Sequence, residues 1–541
     1  MRYPVESFTP AEQDLLTPHF TNLDKPVFAL TNLPETAKGA LFSRYSRYGG
    51  TLRRLYLDEF ASDATGSSRP FDGEEGKRAA KLYESVFLGY GDDSIAQLGG
   101  AHIATEWVSN ILTKVLQRGR LAAYLEQSTR YIAYDQEMPG GGYRYFRDEN
   151  LGPRFSESMD EIFGIYSDAL VKVEAWAADK YPRGDEPEGP WKRSIKAKAL
   201  DLLRGLLPAA TLSHVGIFAS GQAYEQLLFR MMSSPLPEAR QVGGMILEEL
   251  GKVIPSFVSR VDRPDRGGEW ITFLENRRSA TEDWVARLGL DRREEDADGP
   301  TVDLLNVRGN EEDLLAGCLF ESTGVSETAI RSRLEAMSSE ERAELMGAMV
   351  GERANRRHRP GRGFESVSYR FEIVSDYGAF RDLQRHRMLT CQWQTLSPDL
   401  GAGVPGEVED AGVGDEYERA LEISRNEYER LRGEGHEALA PYALCLGYRI
   451  RYVLDLNARE AVQLIELRSG REGHPTYRAV AQAMHESIEN VHPAVANAMV
   501  HLDTTDEPRL ERMLSEIRTH KKKLAGAGTS SPAPPGFSEL G

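Results

Sequence analysis

The chemistry of this chain is carried by arginines at telling spacings. The stretch LQRGRLAAYLEQSTRY, residues 116–131, holds Arg118 and Arg120, then Glu126, Ser128 and Arg130 at alternate positions. Alternation sets those last three side chains on one side of an extended segment. Their types suit a nucleotide: a carboxylate accepts from a ring or ribose, a hydroxyl donates to phosphate, and a guanidinium fork neutralises it. The stretch LQRHRMLTCQWQTLSP, residues 383–398, aligns with the first at an offset of 267. It supplies Arg385, His386 and Arg387, but places Trp393, Thr395 and Ser397 opposite Glu126, Ser128 and Arg130. Each copy holds what the other lacks. Taken singly, either stretch is more simply a basic patch paired with some of the 84 acidic residues.

A third stretch, LDLNAREAVQLIELRSG at 454–470, predicts a helix. Asn457 followed by Glu460 is a capping-box pattern, and Ala461, Val462, Leu464 and Ile465 form its core stripe. Arg459 and Gln463 share one face. Asn457 and Arg468, about 16 Å apart, share another. Such a helix can hold separate ligands. For an isolated helix the plainer reading is a solvated face with an arginine suited to the C-terminal dipole.

The elements that position these residues come from a diverged repeat. LPEARQVGGMILEELGKVIP (236–255) lies on HPTYRAVAQAMHESIENVHP (474–493), both amphipathic helix patterns bracketed by proline. In the same order as the arginine pair, this reads as duplication. The expected organisation is a first repeat at 30–260, a linker with a short helix at 261–309, a second repeat at 310–515 and a disordered tail at 520–541. Runs such as SVSYRFEIV, 366–374, alternate like strands. The expected class is α+β with helices dominating.

Composition narrows the function. The 541 residues exceed one ordinary domain, and the net charge of −18 argues against a nucleic-acid-coating role. A local arginine cluster can still oppose that sign. Three cysteines, Cys318, Cys391 and Cys445, sit in no metal-ligand spacing and fit a reducing, cytoplasmic setting. No signal core and no membrane-spanning apolar run are expected, and no metal site. GAGVPG, 401–406, spells GxGxxG, yet no strand precedes it and Pro405 interrupts it, so it is read as a loop. His485 and His492 are expected at the surface, and Cys391 as a buried, inert thiol.

RHRxxSxxxxSxR is the signature of the flavin-dependent thymidylate synthases, and the chain resembles that family. The first copy, from Arg118 to Arg130, keeps all but the His and the first Ser; the second keeps Arg385-His386-Arg387 and loses the rest. Asn457-Ala-Arg459 with Arg468 resembles the family's later Asn-x-Arg helix, and Arg204, four residues before Pro208, its earlier arginine. The resemblance implies two diverged copies of a helix-rich domain forming a pseudo-dimer, with one composite site. Its implied substrate residues are Glu126, Ser128, Arg130, Arg204, Arg385 and Arg468. Arg385, His386, Arg387, Asn457, Arg459 and Gln463 would hold flavin, and Arg387 and Arg468 would act in catalysis. It also implies FAD, NADPH, methylenetetrahydrofolate and dUMP, and a homodimer of fused pairs with no nucleic-acid or membrane partner. A decayed second site would set Trp393, Thr395, Ser397 and Pro441 against Gly119, Ser220, Gln222 and Met231. This sequence departs from the family at Asp382, where a glutamine is expected, and at Gln463, where an asparagine is expected. The family's flavin-holding Gly-His-x-Ser/Thr-Pro stretch is faint, at 91–98 and 358–365. Two other readings stay open: a non-catalytic nucleotide-binding homologue, and a sister enzyme adding another one-carbon group to a pyrimidine nucleotide. Which site Arg204 serves is left undecided.

Overall fold

The computed structural model describes residues 6–25, 28–45, 48, 50–61, 97–138, 141–290, 299–505 and 509–527. In chain order, β1 (Gly100–Ser109), α1 (Asn110–Leu116) and β2 (Ala122–Glu126) lead into two long helices, α2 (Gly152–Lys180) and α3 (Glu188–Leu203). A 3-10 turn, Arg204–Leu206, precedes β3 (Leu212–Ser220), α4 (Gly221–Met232) and α5 (Pro237–Val253). The segment expected to be a linker carries α6 (Glu269–Arg287) and, near its end, β4 (Thr301–Arg308). The earlier order then recurs. It runs β5 (Ser368–Asp376), α7 (Tyr377–Leu383), β6 (Leu389–Trp393), α8 (Gly414–Gly433), β7 (Arg449–Asn457), α9 (Ala458–Arg468) and α10 (Pro475–Val491). A last helix, α11 (Met513–Ala527), enters the stretch expected to be a tail.

The recurrence extends to the sheets. One has the order β1-β3-β2 and the other β4-β5-β7-β6, so β5, β7 and β6 repeat the first arrangement with β4 added at the edge. The caps repeat too: Ser220 accepts from Ala223 N–H as Asn457 accepts from Glu460 N–H. Antiparallel strands, small sheets and abundant helix make the fold α+β.

Two compact units divide the chain. The first holds Met1–Val108, Leu112–Gln127 and Ser213–Arg292. Its core gathers Leu112, Leu116, Val215, Ile217, Tyr224, Leu228, Ile246 and Phe257 between the sheet and the helices α4 and α5. The second unit holds Ser109–Ile111, Ser128–Leu212 and Arg293–Gly541, so it draws on both sequence repeats. In β7, Ile450, Tyr452, Leu454 and Leu456 point inward at every second residue. The other face carries ions: Arg308 and Arg370 bond Asp455 at 2.5 and 3.4 Å. Helix α10 packs on β4 and β5, α8 on α2, and α11 on α3. Among the described residues no helix is long and apolar enough to cross a membrane.

Candidate functional site

Every residue of the expected site except Glu126 lies in the second unit. The turn from β7 into α9 is fixed by Asn457, whose Oδ1 accepts Glu460 N–H at 2.9 Å. A capping box would return the Glu460 carboxylate to that cap. Glu460 instead meets Nδ1 of buried His386 at 2.9 Å. On the far side of the ring, Arg468 Nε donates to His386 Nε2 at 3.1 Å. A guanidinium can only donate, so Nε2 is the acceptor, Nδ1 carries the proton, and the imidazole is neutral. Glu460, His386 and Arg468 thus form a relay of positions that holds one arginine still.

Asp382, on the last turn of α7, gathers the arginines. Its Oδ2 lies 3.2 Å from Arg204 Nη1, and its Oδ1 lies 3.7 Å from Arg468 Nη1 and 3.8 Å from Arg385 Nη1. Burial pushes this carboxyl up, but Arg385, Arg468, Arg204 and Arg130 outweigh burial and hold it well below the usual range. Arg204 is therefore part of the cluster that contains Arg385 and Arg468. Its side chain is 2% exposed, its Nη2 has no hydrogen-bond partner, and Asp376 Oδ1 is 3.6 Å away. Gly378 permits this approach, since a Cβ there would stand 2.8 Å from Arg204 Nε.

Arg130 is engaged more tightly than its expected role implies. Its Nε and Nη2 form a fork on the two oxygens of Asp201, both at 2.7 Å, and its Nη1 donates to Tyr477 Oη at 2.8 Å. Arg512 reaches the same carboxylate at 3.3 Å. Burial again pushes Asp201 up, and Arg130 above all reverses it, holding the carboxyl far below its ordinary value. The Tyr477 ring lies 5.7 Å from the Arg130 guanidinium and 5.5 Å from that of Arg468, joining the two. Ser128 Oγ accepts Arg130 N–H at 3.2 Å, which places hydroxyl and guanidinium on one turn.

A cavity of about 240 Å³ opens beside Arg204. Asp201, Asp376, Tyr417, His474 and Thr476 line it, with Gly403–Gly406 of the GAGVPG segment, which is a loop as expected. The α10 N-terminus forms part of the wall, and His474 caps it by accepting from Thr476 N–H. His474 Nε2 also meets the Asp201 carbonyl at 3.0 Å.

The remaining expected residues fall elsewhere. Glu126, in the first unit, is buried against Lys114 Nζ at 3.0 Å and Gln117 Nε2 at 2.9 Å. Arg459 Nε donates to the Pro360 carbonyl at 2.9 Å, and its Nη1 lies 3.4 Å from Glu365. That ties α9 to the 358–365 stretch; residues 91–96 of the other faint stretch lie outside the described residues. Gln463 and Arg387 are half-buried and Arg385 is exposed. His492 corrects a surface expectation: it is buried and meets Tyr369 Oη at 2.9 Å. Cys391 is half-buried on β6, not fully buried. Asp201, Tyr477, His474, Arg512 and the pairing role of Glu460 carried no signal in the sequence, because each acts through a partner distant along the chain.

For the flavin that the sequence resemblance implies, the donor set divides. Arg385, Arg387 and Gln463, none of them fully buried, are of the types that would hold its phosphates and its polar ring edge. His386, Asn457 and Arg459 spend their polar groups on the chain itself. A second cavity, of about 380 Å³, is lined by Glu321, Glu327 and Glu365 against Arg362, a charge balance that repels a diphosphate.

Three buried imidazoles set a pH dependence. Burial lowers the pKa of His386 and His492 below 6.5 and that of His474 well below it. The unfolded chain then binds protons that the folded chain refuses. The stability is fully present above 6.5 and is lost as pH falls below it, at about 1.4 kcal/mol per pH unit for each such proton. Asp201 and Asp382, held low, add their loss only below about pH 4. The urea midpoint is expected to fall between pH 7 and pH 5, and to fall less in His474→Gln. A flat profile over that range would refute it.

The family described as Thy1, thymidylate synthase complementing protein, matches residues 53–256 and 318–494. A UPF0159 protein of Chlamydia muridarum is 35% identical over 526 residues, covering 94% of this chain and 98% of its own. One from Chlamydia pneumoniae is 36% identical over 531 residues, covering 95% and 98%. A flavin-dependent thymidylate synthase of Clostridium tetani is 27% identical over 175 residues, covering 32% of this chain and 67% of its own. Among solved structures, the UMP/dUMP methylase PolB of Streptomyces cacaoi, bound with 5-Br dUMP, aligns at 20% identity and a TM-score of 0.31. It covers 39% of this chain and 98% of its own, a likeness too slight to carry an argument. By its two matched regions and its near full-length relatives, the chain belongs to the Thy1 family, that of the flavin-dependent thymidylate synthases.

Proposed function

We propose that the chain converts dUMP to dTMP at the arginine cluster of the second unit, with FAD, methylenetetrahydrofolate and NADPH. The observation that carries this reading is Arg204: buried, held on one side by Asp382, with an Nη2 that makes a 3.6 Å ion pair with Asp376 but no hydrogen bond, beside a cavity at a helix N-terminus. A buried donor without an acceptor is costly, and a phosphate oxygen at a helix N-terminus removes that cost. Local charge supports it as well: Arg204, Arg385 and Arg468 converge on the single carboxylate of Asp382.

In the overall change the pyrimidine C5 exchanges its proton for the methylene carbon of the folate. The C–N bonds from that carbon to the folate break with a proton taken up on each nitrogen, and a hydride equivalent completes the methyl group as tetrahydrofolate leaves. FAD, when bound, supplies the hydride at the expense of NADPH. Arg385, Arg204 and Ser128 bind the phosphate, with Arg130 adding charge from its seat on Asp201. Arg468, fixed by His386 and Tyr477, polarises a pyrimidine carbonyl and stabilises the negative charge that develops as C5 reacts. Arg387 is the second such donor. Two copies of the chain associate in this reading, because the family builds its sites between subunits. One observation favours a non-catalytic nucleotide-binding homologue instead: the Arg130 fork is already filled by Asp201.

The test is direct. The purified protein is examined for flavin absorbance, then given dUMP, methylenetetrahydrofolate and NADPH, and dTMP is sought by mass. Flavin with dTMP formation is expected. Colourless protein that binds dUMP without turnover, even when FAD is added, would leave the non-catalytic reading. A product of another mass would leave the sister enzyme.

A further inference from the structure

Three guanidiniums from three separate elements converge on one carboxylate. Arg204 comes from the 3-10 turn after α3, Arg385 from the loop after α7, and Arg468 from the end of α9. We propose that Asp382 is an internal counter-anion of the nucleotide site, holding these arginines convergent while competing with the ligand phosphate for them. It thereby sets how much phosphate charge the site accepts. The inference rests on the nucleotide reading above and adds a specificity-determining residue to it.

The distances separate a tether from a lock. Arg204 is within hydrogen-bonding distance of Asp382, at 3.2 Å, whereas Arg468 and Arg385 stand 3.7 and 3.8 Å from it, ion pairs longer than a hydrogen bond. A phosphate oxygen can offer those two the shorter bonds that the Asp382 carboxylate does not make. The neighbouring acids cannot do what Asp382 does. Asp201 is filled by the Arg130 fork, and Asp376 is committed to capping α7 through Ala379 N–H at 2.8 Å. Asp382 is thus the one carboxylate of the cluster whose bonds a ligand can exchange.

The price is repulsion. A fixed negative charge among the arginines opposes each added phosphate charge, and its effect is strengthened because Asp382 is largely removed from water. A monophosphate, whose charge the cluster can absorb, is favoured over a triphosphate. An uncharged nucleoside neither meets the repulsion nor gains from its removal.

Calorimetric titration of the full chain and of Asp382→Asn and Asp382→Gln tests this, with inorganic phosphate, dUMP, dUTP and deoxyuridine as probes. The wild type is expected to bind dUMP more tightly than dUTP. Asp382→Asn is expected to bind phosphate and dUMP about tenfold more tightly, to gain more for dUTP, and to leave deoxyuridine unchanged. The proposal is overturned if both variants, folded by circular dichroism, bind phosphate and dUMP no better than the wild type. Should neither variant fold, a wild type that binds dUTP as tightly as dUMP overturns it equally. The two readings fail separately. Gain for inorganic phosphate with no dUMP binding in any protein removes the nucleotide reading and keeps the counter-anion. Firm dUMP binding by the wild type without gain in the variants removes the counter-anion alone.

Discussion

Arg468→Ala is expected to lower the turnover of dUMP by about a thousandfold, the scale seen when one donor to a developing negative charge is removed. The loss should fall mainly on kcat. Arg468 is not a loose surface arginine. Its Nε is fixed by neutral His386, its Nη1 faces Asp382, and its guanidinium lies over Tyr477. Little entropy remains to be lost when the reacting pyrimidine arrives, so its charge is spent on the transition state. Arg468→Lys cannot rescue this, because an ammonium has no planar fork to share between an imidazole and a substrate. His386→Gln, which releases the arginine without removing it, should give a smaller loss and a changed pH profile. A rise in KM with kcat unchanged would show that Arg468 only binds, and would end its catalytic assignment.

Glu466→Ala is expected to destabilise the protein by about 3–5 kcal/mol, since it strands a buried guanidinium. Arg353 and Glu466 have side chains 2% and 0% exposed. Arg353 grips both carboxylate oxygens, at 2.7 and 2.5 Å, and also donates to the Ala498 carbonyl at 2.6 Å. The carboxylate in turn accepts His501 N–H at 3.1 Å. Glu466 sits two residues before Arg468 on α9, so this pair anchors the helix on the side away from the cluster. A shift in urea midpoint with unchanged slope is the expected reading. A loss below about 1 kcal/mol would show that water reaches Arg353 once the carboxylate is gone.

The parts of this site that were legible in the sequence are the parts that act locally. Asn457 could be read as a cap because a cap needs only the residue three places on. β5 could be read near 366–374 because burial alternates along it, and it spans Ser368–Asp376. The three arginine stretches could be read because spacing alone marks them. The rest depends on residues brought together by folding. Glu460 looked like the second half of a capping box, yet a buried imidazole outcompeted the cap for its carboxylate. Arg130 looked like a phosphate ligand, and Asp201, 71 residues away, fills its fork. Glu126 looked like its companion and is paired with Lys114 instead. β4 was missed at the end of a charged, glycine-bounded segment because it is an edge strand with no fully buried residue, and a bulge between Leu304 and Asn306 breaks the alternation of its half-buried Val302, Leu304 and Val307.

The second unit draws residues 128–212 out of the first repeat, and this has a consequence for biosynthesis. The hydrogen bond from Arg130 to Tyr477 closes a loop of 347 residues, a slow event for a chain made from one end. As translation proceeds, α2 can pack on α3, made directly after it, but its other partner α8 is made much later. The nascent protein must therefore leave the α8-facing side of α2 uncovered through the synthesis of about two hundred further residues, a window in which chaperones act and aggregation begins. Severing the gene within 261–309 would divide this unit between two products, neither able to build the arginine cluster alone.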